Sequence, residues 1–204
     1  FEDVESEALL LVARVYTSRQ EDDRAEPLIE RAKALAEESG SLTARAHAYM
    51  QSGELYGWRR RDEEALEEYE RARELFAEVG AATHLAKAML RIASTVRRAG
   101  DLEEAEKLAR EGIRILKPLE DRGTLCEVQR FLAEVLLDQG KLDEAELYAL
   151  KAVETVGPQD VSSQASTKTS LALVRATQGR DEEAEALLRE SIEILERSEY
   201  SRFL

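Results

Sequence analysis

The chain has 204 residues, a formal net charge of −14 and a pI near 4.8, so it lacks the surplus of cations that a general nucleic-acid partner demands. Hydrophobic residues make up 43% and aromatics only 5%, which permits a packed core but one poor in large rings. The single cysteine, Cys126, excludes an internal disulfide, and no apolar run approaches the length of a membrane span; with no signal peptide ahead of the first helix, a reducing, cytoplasmic setting is the expectation.

Helix-forming residues dominate, and the spacing predicts ten helices and no sheet. The first pair spans 3–19 and 22–38, joined by SRQEDDRAEP (18–27), and Pro27 within the second helix predicts a kink or a late start. The second pair spans 43–59 and 62–78 around RRRDEEALEE (59–68). In the third pair, 82–99 and 102–117 around RAGDLEEAEK (98–107), Leu85, Met89, Ile92 and Val96 form one apolar stripe. Leu102, Ala105, Leu108, Gly112 and Leu116 form the next. Gly100 between them suits a left-handed helix end, and Asp101 suits an N-cap. The fourth pair, 122–139 and 142–156, turns at DQGKLDEAEL (138–147). Cys126 near its start reads as a buried small hydrophobe. The fifth, 162–178 and 181–197, turns at TQGRDEEAEA (177–186). Gly140 and Gly179 repeat the slot of Gly100, while Gln20 and Arg60 replace glycine there. Pro118 and Pro158 each follow a helix pair. In the tail, Ser201 suits a cap, with Phe203 and Leu204 opening a further apolar stripe. With Phe1 in place of an initiator Met, the ends read as those of a segment cut from a longer array.

These elements are copies of one unit. Ala25, Ala65, Ala105, Ala145 and Ala184 recur at intervals of 40, 40, 40 and 39. Twelve residues before them stand Ala13, Gly53, Ala93, Ala133 and Ala172; seven after them stand Ala32, Ala72, Gly112, Ala152 and Ser191. Three small columns let helix backbones approach closely, where a larger side chain would overpack.

Charge is divided between the two helices of each pair. The second helices (21–38, 61–78, 101–118, 141–156 and 181–197) carry 31 acidic and 14 basic residues, net −17, against net +3 for the remainder. No phosphate-binding loop, nucleophile motif, metal-ligand spacing or cofactor motif stands out, so catalysis, metals and cofactors are not expected. His84 reads as a surface residue near a helix start, and His47 as solvated.

The repeat resembles the tetratricopeptide (TPR) family. Repeat two carries the likeness best, with Gly53, Tyr56, Ala65, Tyr69 and Ala72 at signature spacings, although the period here is 40 against about 34 in that family. The stretch TQGRDEEAEALLRESIEIL resembles the long-repeat MalT-like arrays of bacterial signalling ATPases, transcription activators and cyclase-fused regulators. The resemblance implies an all-α, right-handed α-solenoid of five helix–turn–helix repeats (1–40, 41–80, 81–120, 121–160 and 161–198) in one domain, acting as a protein-interaction scaffold. It also implies that the first helices line a concave groove. That layer carries Leu10, Leu11 and Arg14; His47, Met50, Gln51, Glu54 and Trp58; Lys87, Leu90, Arg91, Ser94, Arg97 and Arg98; Glu127, Arg130, Phe131, Glu134 and Leu137; and Thr169, Ser170 and Leu173. Its centre would set Lys87, Arg91, Arg98 and Arg130 beside Met50, Trp58, Leu90 and Phe131, a composition suited to an acidic peptide. Helix-end cations such as Arg59, Arg60, Arg97 and Arg98 can equally serve the helix dipole, and Trp58 can pack a turn. Two alternatives stand beside peptide binding: an effector-sensing arm of a larger regulator, and a structural array that self-associates through its ends.

Overall fold

A computed structural model describes residues 2–200, leaving Ser201, Phe203 and Leu204, and the further helix expected of them, outside the described residues. Ten helices follow in order: α1 Glu2–Ser18, α2 Asp22–Ser39, α3 Leu42–Trp58, α4 Asp62–Glu78, α5 Ala82–Ala99, α6 Leu102–Leu116, α7 Arg122–Asp138, α8 Leu142–Thr155, α9 Val161–Thr177 and α10 Asp181–Tyr200. Among the described residues there is no strand. The late start expected from Pro27 does not occur. Helix α2 begins at Asp22 and runs through the proline, which sits close enough to the helix start that the missing N–H affects only the first turns.

One turn recurs in every repeat. Gly100, Gly140 and Gly179 take positive φ, and so do Gln20 and Arg60, both at 60°. The residue after each then donates its N–H to the carbonyl five back: Glu21 to Tyr16, Arg61 to Tyr56, Asp101 to Val96, Lys141 to Leu136 and Arg180 to Arg175, at 2.9–3.0 Å. This is the helix-ending geometry that a left-handed residue creates. Repeats one and two adopt it without glycine, at the steric cost of a β-carbon in that region. The Asp101 side chain accepts from the Glu104 N–H at 3.0 Å and caps α6.

All three small columns are buried. A fourth lies beside them: Ser6, Ala46, Ala86, Cys126 and Ala165, again buried. At this column the two helices of a repeat come close enough for a side chain of one to reach a carbonyl of the other. Ser6 Oγ donates to the Ala32 carbonyl at 3.0 Å, and Cys126 Sγ donates to the Ala152 carbonyl at 3.4 Å. Burial pushes the Cys126 thiol up to about 11, so it is an inert packing residue.

The chain packs as two compact units, Phe1–Thr95 and Val96–Leu204. In the first, α3 lies against both α1 and α2. In the second, α9 lies against both α7 and α8. First helices therefore pack on the next first helix, whereas α2 reaches α4 through the long side chains of Lys33 and Glu68, paired at 3.2 Å. Within each unit this places the first helices on the tighter, inner layer.

Candidate functional site

In the first unit the inner layer is built by α1, α3 and the part of α5 up to Thr95. His47 is not a solvated side chain. It is half-buried, edge-on to Phe76 at 5.2 Å and to His84 at 4.8 Å, and Phe76 stacks on His84 at 5.1 Å. Burial and the neighbouring His84 hold its pKa below the usual histidine value, opposed by Glu7. His84 is exposed, as expected, but serves as the outer leaf of this ring cluster. Met50 packs against the core formed by Ala46, Ala72, Phe76 and Ala88.

Further along α3, Glu54 accepts from Arg91 Nε at 3.2 Å and from Gln51 Nε2 at 3.0 Å. Arg91 is thus tied to an acid of its own layer. Lys87 is exposed on the same helix as Arg91. Trp58 is 70% exposed, which rules out packing of the turn as its role. Leu90 is 5% exposed and forms no groove surface; it stands one turn before Ala93 on the face that packs inward.

In the second unit the inner layer comprises the end of α5, α7 and α9. Arg97 organises it. Its Nη1 donates to Glu134 Oε2 at 2.8 Å and its Nε to Asp138 Oδ2 at 2.6 Å, and its guanidinium lies 5.7 Å from the centroid of the Phe131 ring. Burial disfavours the Arg97 charge, but Asp138 and Glu134 outweigh that and raise its pKa. Phe131, expected as an exposed aromatic, is only 5% exposed because it lies in the core beneath Arg97. Arg130 donates to the other oxygen of Glu134, so two guanidinium groups share one carboxylate. Arg98 is exposed in the last turn of α5.

Beside this cluster opens a cleft of about 710 Å³. One wall is Arg97, Arg130 and Glu134; the floor is the α9 face bearing Ser162, Ser166, Thr169, Ser170 and Leu173; and α10 closes the far side with Leu188 and Leu195. Charged, hydroxyl and apolar surfaces meet there, which is the mixture that fixes an extended chain by its backbone and side chains together. The sequence placed Arg130, Thr169, Ser170 and Leu173 on the inner layer, and the structure brings them together here. It had no signal for the contribution of α10.

A second polar feature crosses from repeat to repeat. On second helices, Glu26, Glu106 and Glu146 occupy one column. Glu26 accepts from Arg59 Nη1 at 2.8 Å, Glu106 from Lys141 Nζ at 2.7 Å, and Glu146 from Gln178 Nε2 at 2.6 Å and Arg180 Nη1 at 3.2 Å. Desolvation would raise the Glu106 pKa, but Lys141, Arg110 and Gln139 together lower it to about 2. Arg59 is therefore more than a dipole cap: it clasps two repeats. Among the described residues no group of three or more His, Cys, Asp or Glu side chains could hold a metal ion, and no helix is long and apolar enough to cross a membrane.

A sequence model of the MalT-like TPR region matches residues 6–203. No curated protein sequence matches the chain significantly. Among solved structures, BtubC (BKLC) from P. vanneervenii is 20% identical with a TM-score of 0.83, over 97% of this chain and 82% of that one. The Rap conjugation gene regulator of plasmid pLS20, in complex with the Phr* peptide, is 17% identical with a TM-score of 0.78, over 94% of this chain and 53% of that one. A signal transduction ATPase with numerous domains (STAND), carrying a tetratricopeptide repeat sensor, from Pyrococcus horikoshii is 16% identical with a TM-score of 0.79; this chain is matched over 98% of its length and spans 31% of that protein. At these identities the likeness is one of fold: a TPR-like helical solenoid.

Proposed function

Because the chain belongs to the family of MalT-like TPR regions, we propose that it is a non-catalytic scaffold whose inner helix layer takes an extended peptide segment of a partner protein. The observation that carries this reading is the 710 Å³ cleft of the second unit, with its Arg97–Glu134–Arg130 wall and hydroxyl-bearing α9 floor. Asp138 and Glu134 already pair with Arg97, so Arg130, whose pairing is with the shared Glu134, is the guanidinium on that wall that can turn to an acidic side chain. In the first unit Lys87 on α5 and Trp58 on α3 are both exposed and add a cation and a ring to the surface of the first helices. The Rap regulator, whose structure holds a peptide, has the same fold and supports the kind of ligand.

The test is fluorescence anisotropy of labelled short peptides, acidic against basic, titrated with the full chain. Acidic peptides should bind more tightly, and binding should weaken with salt as exposed charges are screened. Arg130→Glu should weaken it about tenfold or more, a loss on the order of 1.4 kcal/mol, with an unchanged circular dichroism spectrum. Equal affinity for both peptide classes in wild type and variant would end the acidic-peptide reading.

A second reading is regulatory: the array is the effector-sensing arm of a larger bacterial signalling protein in the cytoplasm. The STAND protein with its TPR sensor favours it. The open reading frame around this segment tests it, since the reading requires an ATPase, cyclase or DNA-binding domain on the same polypeptide.

A further inference from the structure

Inside each unit a first helix fills the slot made by the preceding helix pair: α3 on α1 and α2, and α9 on α7 and α8. The stripe that enters the slot occupies fixed columns. On α3 it is Ala44, Ala48, Ser52 and Leu55, and on α9 it includes Thr167, Leu171 and Val174, all buried. The same columns on α1 hold Val4, Ala8, Val12 and Val15. All four are exposed, the valines by 46–69%. So α1 carries a tongue more apolar than that of α3, with no preceding pair to receive it among the described residues.

The complementary half lies at α9 and α10. Between them runs a floor of small residues, Ala165, Thr169, Ala172, Ala176 and Ala184, in the far part of the cleft. Leu188 and Leu195 flank it, 43% and 45% exposed. In the Leu188 column the other repeats bury Ile29, Tyr69, Ala109 and Ala149, and in the Leu195 column Ala36, Phe76 and Leu116 are buried. This slot therefore has the floor and flanks of an internal junction, and among the described residues no helix fills it.

The polar clasp is also split between these two places. Its acceptor column, Glu26, Glu106 and Glu146, ends at Glu185 on α10, whose ion pair among the described residues is with Arg189 of its own helix. Two of its donors, Arg59 and Gln178, share a column that begins at Arg19, exposed just after α1. One chain thus holds an apolar tongue ending in a cation and an apolar slot ending in an acid.

We propose that α1 of one copy docks in the slot between α9 and α10 of a second copy, head to tail, reproducing the junction that α3 and α9 make internally. The contact is heterologous, so each dimer still presents one tongue and one slot, and growth continues until it closes or is capped. Each chain carries −14, and mutual repulsion opposes the contact at low ionic strength; salt screens the repulsion and leaves the apolar stripe unaffected. Self-association therefore strengthens with salt, opposite in sign to the peptide binding proposed above, with which it competes for the α9–α10 side of the same cleft.

Sedimentation velocity on the full chain across a concentration series in high salt tests this. Wild type should rise in mass beyond the dimer. Val12→Glu removes the tongue and keeps the slot; Leu188→Glu removes the slot and keeps the tongue. Each alone should sediment as a monomer with an unchanged circular dichroism spectrum, since both side chains already face solvent. If either fails to fold, Val4→Lys and Leu195→Lys replace them at sites 69% and 45% exposed. Mixed in equal amounts, the two variants should form a 1:1 dimer and nothing larger, because one good tongue meets one good slot. A wild type that stays monomeric, a Val12→Glu variant that still assembles, or a mixture without heterodimer each overturns the proposal.

Discussion

Replacing Gly53 by alanine sets two opposed effects of known size against each other. Gly53 is in the middle of α3, where alanine is favoured over glycine by about 1 kcal/mol. A β-carbon there, however, would stand 2.6 Å from both Cδ1 and Cε1 of Tyr69, a ring that is 4% exposed and has nowhere to move. Overpacking of that kind costs about 1–3 kcal/mol, so the substitution should destabilise the protein by up to about 2 kcal/mol. The other repeats show what relieves it: Ala13 faces Ile29, Ala93 faces Ala109, and Ala133 faces Ala149 in the same two columns. In a Tyr69→Ile background, Gly53→Ala should therefore stabilise by about 1 kcal/mol, the bare helix-propensity gain. Urea unfolding of wild type, both single variants and the double variant, followed by helical circular dichroism, gives the coupling directly. A Gly53→Ala effect of the same sign and size in both backgrounds would falsify the tight-contact argument.

Three further expectations rest on single residues. Arg60→Gly removes a β-carbon from a left-handed turn at φ 60° and should stabilise by about 1 kcal/mol, read as a higher melting midpoint; a lower midpoint would show that the arginine side chain matters more than its backbone. His47 has a lowered pKa in the fold, so the unfolded chain takes up its proton first. Stability should be full above about pH 6.5 and decline as pH falls below it, and His47→Gln should flatten that slope in a pH series of urea midpoints. Glu106 is held at about 2 by Lys141, Arg110 and Gln139 against its desolvation, so its contribution is present above the ordinary carboxylate value and is lost as pH falls toward 2. Glu106→Gln should lower stability at neutral pH and narrow the gap to wild type in acid, whereas a constant gap would assign its role to packing alone.

The small-residue columns and the turns were legible because each is a steric requirement that tolerates few residue types. The ten helices accordingly fall within a residue or two of their predicted bounds, apart from the longer α10. What could not be read was the pairing across repeats. Arg91 meets Glu54, Arg97 meets Glu134, and Arg59 meets Asp22, each 37 residues apart, and His47 meets His84 at the same separation. That number is the period less three, the offset between facing residues on adjacent first helices or on a second helix and the next first helix. Scanning the chain for opposite charges or rings at that offset would have found all four. Without it, the cations of the inner layer looked unpaired. Leu90 and Phe131 were misplaced for a related reason: transferring groove positions from a shorter repeat put two core-facing residues on the surface.

The one irregular interval has a location. From Gly112 to Cys126 is 14 residues, yet from Ala152 to Ala165 is 13, so the missing residue falls in the connector after α8, while every column on either side stays in register. Insertions and deletions of this kind are absorbed between repeats, where loop length is cheap, and are excluded from the turn inside a repeat, where a fixed five-back hydrogen bond counts residues. A duplicated or deleted block of whole repeats would then meet the same joint on both sides. The number of repeats can change without disturbing the turn inside any of them.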